Sequence, residues 1–222
     1  MRKKELFEVV LSYFQQCHAQ DGLRTVGPDE HVDTELHYGT TFQLLVAVML
    51  SAQCTDKRIN SVTPRLFADY PDAATMAESS PEVIFEYIKS VSYPNNKAKH
   101  LVAMAQALMK DFEGEVPASL RELTSLPGVG RKTANVVLAV AFQQPALAVD
   151  THVFRVSHRL GLVPQSATTP YAVEKALRKY IPDALVAQGH YSLLLHGRYV
   201  CTARKPKCAS CDLQKVCRSA SI

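Results

Sequence analysis

The chain has 222 residues, 47% of them apolar and 21% charged, a balance that supports a buried core without disulfide staples. Its longest apolar runs, LLVAVML at 44–50 and VVLAVAF at 136–142, fall far short of the roughly 20 residues a bilayer span requires, and Glu5 and Glu8 interrupt the basic amino terminus. Neither a membrane segment nor a secretion signal is expected, and a cytoplasmic address follows. The net charge of +4 is unevenly spread: residues 198–222 carry six basic side chains against Asp212, or +5, so the first 197 residues sum to −1. A phosphate-facing patch and a solvated tail share this pattern.

In chain order, Phe7, Val10, Leu11, Phe14 and Cys17 lie at helical spacing and predict a first amphipathic helix. The stretch DGLRTVGPDEHVD at 21–33 reads as a linker. Thr40 followed by Gln43 is a capping-box pattern opening FQLLVAVMLSAQ, and a further helix fits 56–68. Ser80-Pro81 and Thr169-Pro170 each set a capping residue before a proline at the first helical position. Helices also fit 96–112, 118–125, 131–142, 151–160 and 184–198, and strand-like alternation is nearly absent. The expected fold is all-α, with about ten helices joined by short loops. Cys17 and Cys54 sit among helical apolar residues and read as small buried hydrophobes.

The carboxy end carries Cys201, Cys208, Cys211 and Cys217 as C-x6-C-x2-C-x5-C. In a reducing compartment four clustered cysteines read as metal ligands rather than disulfides. Four thiolates suit a structural zinc or a [4Fe-4S] cluster; the zinc pattern of two short knuckles is only half met, so the spacing leans to iron and sulfur. Four protein ligands leave no open coordination site, which favours a loop-holding role over a catalytic one. The loop held, TARKPK at 202–207, contains Arg204, Lys205 and Lys207, cations that a rigid metal would fix for phosphate.

Residues 126–135 read LPGVGRKTAN. Pro127, Gly128 and Gly130 break a helix and permit a tight turn, giving a helix-hairpin-helix whose backbone N–H groups can approach an anion. A tight helix-helix turn of any kind looks similar. Lys132 stands at the mouth of an apolar helix, where desolvation and the positive helix end would both lower its pKa and yield a reactive amine. A lysine that snorkels to solvent or touches phosphate fits its position equally well. Asp150 opens the helix THVFRVSHRLGL and reads on its own as an N-cap.

Taken together, SAQCTDKRIN (51–60), NNKAKH (95–100), GEVPASLRELTSLPGVGRKTANVVLAVAF (114–142), AVDTHVFRVSHRLGL (148–162) and the four-cysteine array resemble the endonuclease III family, iron–sulfur DNA glycosylases with an attached abasic-site lyase. The resemblance covers most of the chain from about residue 34 onward. It implies that Lys132 is the nucleophile: its amine attacks the sugar carbon, expels the damaged base and holds the sugar as a Schiff base that undergoes β-elimination. Asp150 would offset developing positive charge and assist proton movement. Gly128, Val129 and Gly130 would present backbone amides to DNA phosphate. Because the target base must leave the stack, Gln53 is implied to fill the vacated space, with Asp56 in the base pocket and His152 beside the catalytic aspartate. On their own, all three read as polar helix-surface residues.

Two departures from the family pattern stand out. Where many members have a glycine and a leucine-like wedge, this chain reads SVSYPNNKA, placing Tyr93 in the wedge position, where an aromatic ring stacks on any base. The other is the longer 21–33 segment.

The implied architecture is two all-α domains with a DNA-binding cleft between them: a six-helix domain at 34–145 ending in the hairpin, and a discontinuous domain of 1–33 and 146–222 carrying a [4Fe-4S] cluster loop at 201–217. Asp150 would face Lys132 across that cleft. The implied partner is double-stranded DNA containing damaged pyrimidines or abasic sites, acted on by a monomer associated with the nucleoid. Two other readings stay open. The related adenine-mismatch enzymes have no lysine at the equivalent place and carry an added carboxy-terminal domain, whereas this chain ends five residues after Cys217. A non-catalytic DNA-binding module would use the hairpin and tail for phosphate contact alone.

Overall fold

A computed structural model describes residues 2–21, with side chains as far as Phe14, and 34–220. The side chain of Cys17 and the linker expected beyond Asp21 lie outside the described residues. Among the described residues there is no strand: eleven α-helices are followed by two short 3-10 turns, Cys208–Ser210 and Asp212–Lys215. The chain separates into two compact units, Asp33–Gln144 and Met1–Val32 with Pro145–Ile222.

The Asp33–Gln144 unit holds α2 (Thr41–Ser51), α3 (Asp56–Asp69), α4 (Ala73–Ala77), α5 (Pro81–Ile88), α6 (Pro94–Phe112), α7 (Leu120–Leu123) and α8 (Arg131–Val140). The hydroxyls of Thr40, Ser80 and Ser119 and the carboxylate of Asp72 cap α2, α5, α7 and α4 by accepting N–H bonds two or three residues into the helix. Gln43 departs from the expected reciprocal box: its Oε1 accepts from Gly39 N at 2.8 Å, one residue before the cap. The sequence predicts six helices here; the seventh, α4, has five residues, too few for a helical repeat to show. Leu44, Leu45 and Leu50 of α2, Ile59 and Leu66 of α3, Ile84 and Ile88 of α5 and Leu101, Met104 and Leu108 of α6 are fully buried. Against α2 packs α8, whose Ala134, Val137, Leu138 and Ala139 are buried.

The other unit closes on itself through sequence-distant parts. Leu6, Phe7, Val10, Leu11 and Phe14 of α1 (Lys3–Asp21) share one core with Val153, Val156 and Leu160 of α9 (Thr151–Leu160), Val173 and Leu177 of α10 (Pro170–Leu177), Val186 and Leu193 of α11 (Asp183–Tyr199), and Leu213. Gly189 lets α11 close on α1: a Cβ there would lie 2.8 Å from Phe7 Cζ. Partly buried Cys201, Cys211 and Cys217 pack against the same core, so the cysteine loop grows out of its edge.

Candidate functional site

The hairpin is built by short local bonds. Leu126 N donates to Leu123 O at 3.2 Å, and Val129 N donates to Leu126 O at 3.1 Å, turning the chain sharply after α7. Gly128 sits at φ +77°, left-handed backbone that a side chain resists. A Cβ there would also lie 2.7 Å from His100 Cβ and 3.0 Å from Met49 Cε, so the turn is pressed onto α6 and α2. Gly130, the N-cap of α8, has an ordinary φ of −85° and nothing within 4 Å of a built Cβ. Nothing inside the protein requires glycine at 130; the space it leaves faces outward. The Val129 side chain is buried, and its amide is already spent on the turn. The open backbone is therefore at Gly130 and the head of α8, where the first N–H groups have no carbonyl one turn back.

Lys132, the second residue of α8, is exposed. Of the two positions the sequence left open, the solvent-facing one is found, because the apolar face of α8 begins only at Ala134, one turn beyond the glycines. Its ammonium stands at the open, positive end of the helix.

Gln53 and Tyr93 lie on neighbouring loops of the same unit. Both are exposed, Tyr93 to 63%, and both carry left-handed φ values of 55° and 54°. For non-glycine residues each such conformation costs of order 1–3 kcal/mol, held only where the surroundings over-determine it. Tyr93 is the N-cap of α6, and Pro94 supplies the first helical residue, so α6 begins earlier than the 96 read from the sequence. Asp56 opens α3 behind its Thr55 cap and is half-buried.

In the other unit, Asp150 is an N-cap: Oδ1 accepts from His152 N at 2.9 Å and from Val153 N at 2.8 Å. This fixes one carboxylate oxygen on the α9 axis. His152 is half-buried against Gly197, where a Cβ would lie 2.7 Å from His152 Cβ. Its Nδ1 is 3.2 Å from Arg155 Nη2, which also donates to Gly197 O at 2.7 Å. A guanidinium only donates, so Nδ1 accepts and the proton of a neutral ring sits on Nε2. Arg155 Nε further donates to Cys201 O at 3.1 Å, joining His152 to the cysteine loop. Arg159 donates to Thr202 O at 2.8 Å, to Ala203 O at 3.0 Å and to Cys201 Sγ at 3.4 Å. Sequence reasoning missed both arginines, whose spacing along α9 marks them only as polar helix positions.

Cys201, Cys208, Cys211 and Cys217 line one pocket, with His196, Leu160 and Pro206 in its wall. Burial pushes the Cys211 and Cys217 thiols above their usual range, an effect that a bound cation reverses. No three metal-ligating side chains among the described residues converge on a point fit for a single ion. Arg204, Lys205 and Lys207 are exposed on the loop, which Thr202 Oγ1 to Lys205 O at 2.7 Å and Lys207 N to Val200 O at 3.0 Å fold on itself.

Residues 46–183 match the model of the HhH-GPD superfamily of base excision DNA repair proteins. Endonuclease III of Rickettsia prowazekii is 47% identical over 184 residues, 83% of this chain and 86% of that one. The Synechocystis protein of that name is 50% identical over 186 residues, covering 83% and 84% of the two chains. The chain belongs to the endonuclease III family. It is a base excision repair enzyme, a DNA glycosylase and abasic-site lyase. A solved endonuclease III, trapped as a covalent intermediate with DNA, superposes with a TM-score of 0.88 at 40% identity, over 99% of this chain and 98% of that one. Among the described residues, no helix is long and apolar enough to cross a membrane.

Proposed function

We propose that this enzyme removes oxidised pyrimidines from duplex DNA and cuts the resulting abasic strand through a Schiff base on Lys132. The observation that carries the reading is an exposed amine two residues past Gly130, a glycine that no neighbour requires. The open backbone at Gly130 and the first amides of α8 take a phosphate of the target strand, which brings the sugar to the amine. Deprotonated Lys132 attacks C1′ as the glycosidic bond breaks, the base leaving with the bonding pair; the attached amine gives up a proton, the C1′–O4′ bond opens with O4′ taking a proton, and C1′=N forms as the Schiff base. Loss of a proton from C2′ then breaks the C3′–O bond and releases the phosphate. Asp150, with Oδ1 held by two backbone amides, keeps its other oxygen for the charge that develops on the sugar. Gln53 and Tyr93 fill the gap the everted base leaves, Asp56 lines its pocket, and His152 orients beside Asp150.

The four cysteines fit a [4Fe-4S] cluster better than a single zinc. Zinc needs its sulfurs about 2.3 Å from one point, whereas a four-iron cluster takes one thiolate per iron and so spreads them around a larger body. When bound, the cluster supplies a rigid cross-link. Arg159 and Arg155 tie the start of the loop to α9, and Arg204, Lys205 and Lys207 meet phosphate.

Borohydride trapping tests the proposal, with duplex DNA containing thymine glycol or an abasic site. The parent protein is expected to give a covalent adduct and Lys132→Gln none. A Lys132→Gln adduct moves the Schiff base to another amine, and a parent that binds but never traps overturns the lyase assignment.

A further inference from the structure

The loops carrying the two strained residues are joined by two side chains, Lys97 and Ser92. Lys97, on the first turn of α6, donates from Nζ to Leu50 O at 2.8 Å and to Ala52 O at 2.7 Å, with Ser92 Oγ at 3.5 Å. Ser92 Oγ in turn donates to Gln53 O at 2.6 Å and approaches Ala52 O at 3.4 Å. Thus the residue before Tyr93 holds the carbonyl of Gln53, and the lysine four residues after Tyr93 holds the carbonyls that precede Gln53. The stem of Lys97 is half-buried and its ammonium is directed at the spent end of α2, where unpaired carbonyls attract a cation. Burial without a carboxylate partner pushes its pKa below the usual lysine range.

A lysine near a DNA-facing loop ordinarily reads as a phosphate contact. Here the donors are turned inward onto backbone carbonyls of a different loop, some 45 residues away in sequence. Those bonds bear on Gln53 and Tyr93, two of the non-glycine positions held in left-handed backbone. We infer that Lys97 and Ser92 lock the Gln53 and Tyr93 loops into a single preformed two-pronged wedge, making Lys97 a positioning residue for base eversion. Preforming both prongs means that the duplex does not have to order either loop when the base leaves. The inference rests on the assignment of Gln53 and Tyr93 to the vacated space.

Lys97→Met keeps the stem and removes the donors. On thymine-glycol duplex, single-turnover excision is expected to fall at least tenfold, and 2-aminopurine placed beside the lesion to lose most of its eversion signal. Cleavage of a preformed abasic site in single-stranded DNA, which needs no wedge, is expected to change less than twofold. The salt slope of duplex binding is expected to stay at the parent value, whereas loss of a phosphate contact lowers it by about one. Adding Tyr93→Ala to Lys97→Met is expected to cost less than the sum of the two single losses. Equal losses on duplex and single strand, a slope lowered by one, or additive effects each overturn the inference. Should Lys97→Met unfold, Ser92→Ala carries the same comparison, because it removes the hydroxyl that links Lys97 to Gln53 O and leaves the Lys97 bonds to Leu50 O and Ala52 O. Borohydride trapping separates the two readings: a parent without an adduct sinks the Lys132 assignment, while a trapping Lys97→Met that excises at the parent rate sinks this one.

Discussion

Two glycines of one turn have opposite reasons to exist. Gly128 is required from within, by its φ of +77° and by His100 and Met49 beneath it; Gly130 is not required from within at all. Gly128→Ala therefore takes on both left-handed strain and overpacking, together about 2 to 4 kcal/mol of stability. Gly130→Ala has room and an ordinary φ, so its stability cost is expected to stay below about 1 kcal/mol, while duplex affinity falls because the added methyl stands where the phosphate approaches. Thermal unfolding read beside DNA binding separates the two. If Gly130→Ala instead lowers the melting temperature as much as Gly128→Ala and leaves affinity alone, the open face of the turn is not the phosphate site.

At the level of elements, α1 matters through its packing on α9, α10 and α11, and one ring reports on that contact. Tyr180, just past α10, donates its hydroxyl to Leu162 O at 3.0 Å and meets Phe7 edge-on at 6.1 Å between centroids. Burial raises its pKa well above the ordinary tyrosine value. The folded state thus holds the phenol proton longer than the unfolded one. Its contribution is complete below about pH 10 and is lost as pH rises above that value, towards the folded pKa. Above about pH 10 the parent is expected to lose stability more steeply than Tyr180→Phe in urea titrations, the two curves running parallel below it; parallel curves throughout would place the phenol in contact with solvent. Much of this level was legible beforehand. Phe7, Val10 and Phe14 at helical spacing, the caps at Thr40, Ser80 and Thr169, and the turn at Gly128 are local patterns that the chain writes within a few residues. Lys97 on Leu50 and Ala52, and Arg155 on Gly197 and Cys201, were not. Those bonds join residues 42 to 47 positions apart, and no local periodicity encodes them. For Lys132 the sequence left a desolvated and a solvent-facing position open, and the exposed one is found because the buried face of α8 starts after the lysine.

For the molecule as a whole, the charge surplus in the last 25 residues is either phosphate contact or solvated tail, and the metal site decides how the two are told apart. If Arg204, Lys205 and Lys207 each neutralise one phosphate, replacing all three with glutamine lowers the slope of log affinity against log salt by about 2.7. A solvated tail gives almost no change in slope. If the proposed cluster is bound, removing it by oxidation and chelation asks whether rigidity matters as well as charge. The helices of the unit that carries the cysteines pack through Phe7, Val10, Val153, Val156 and Leu193, and Cys201, Cys211 and Cys217 meet this core only as partly buried residues at its edge, so far-UV circular dichroism is expected to keep most of its helical signal. The loop loses the anchor at Cys208, Cys211 and Cys217 but keeps the bonds from Arg155 and Arg159 at its start. Its cations remain present but are no longer held in register, and the expected result is a slope lowered nearly as far as in the triple variant. A metal-free protein that keeps the parent slope would show that those side chains reach phosphate without being held. Collapse of the helical signal would instead make the cluster part of the core's folding energy rather than a clamp on its edge.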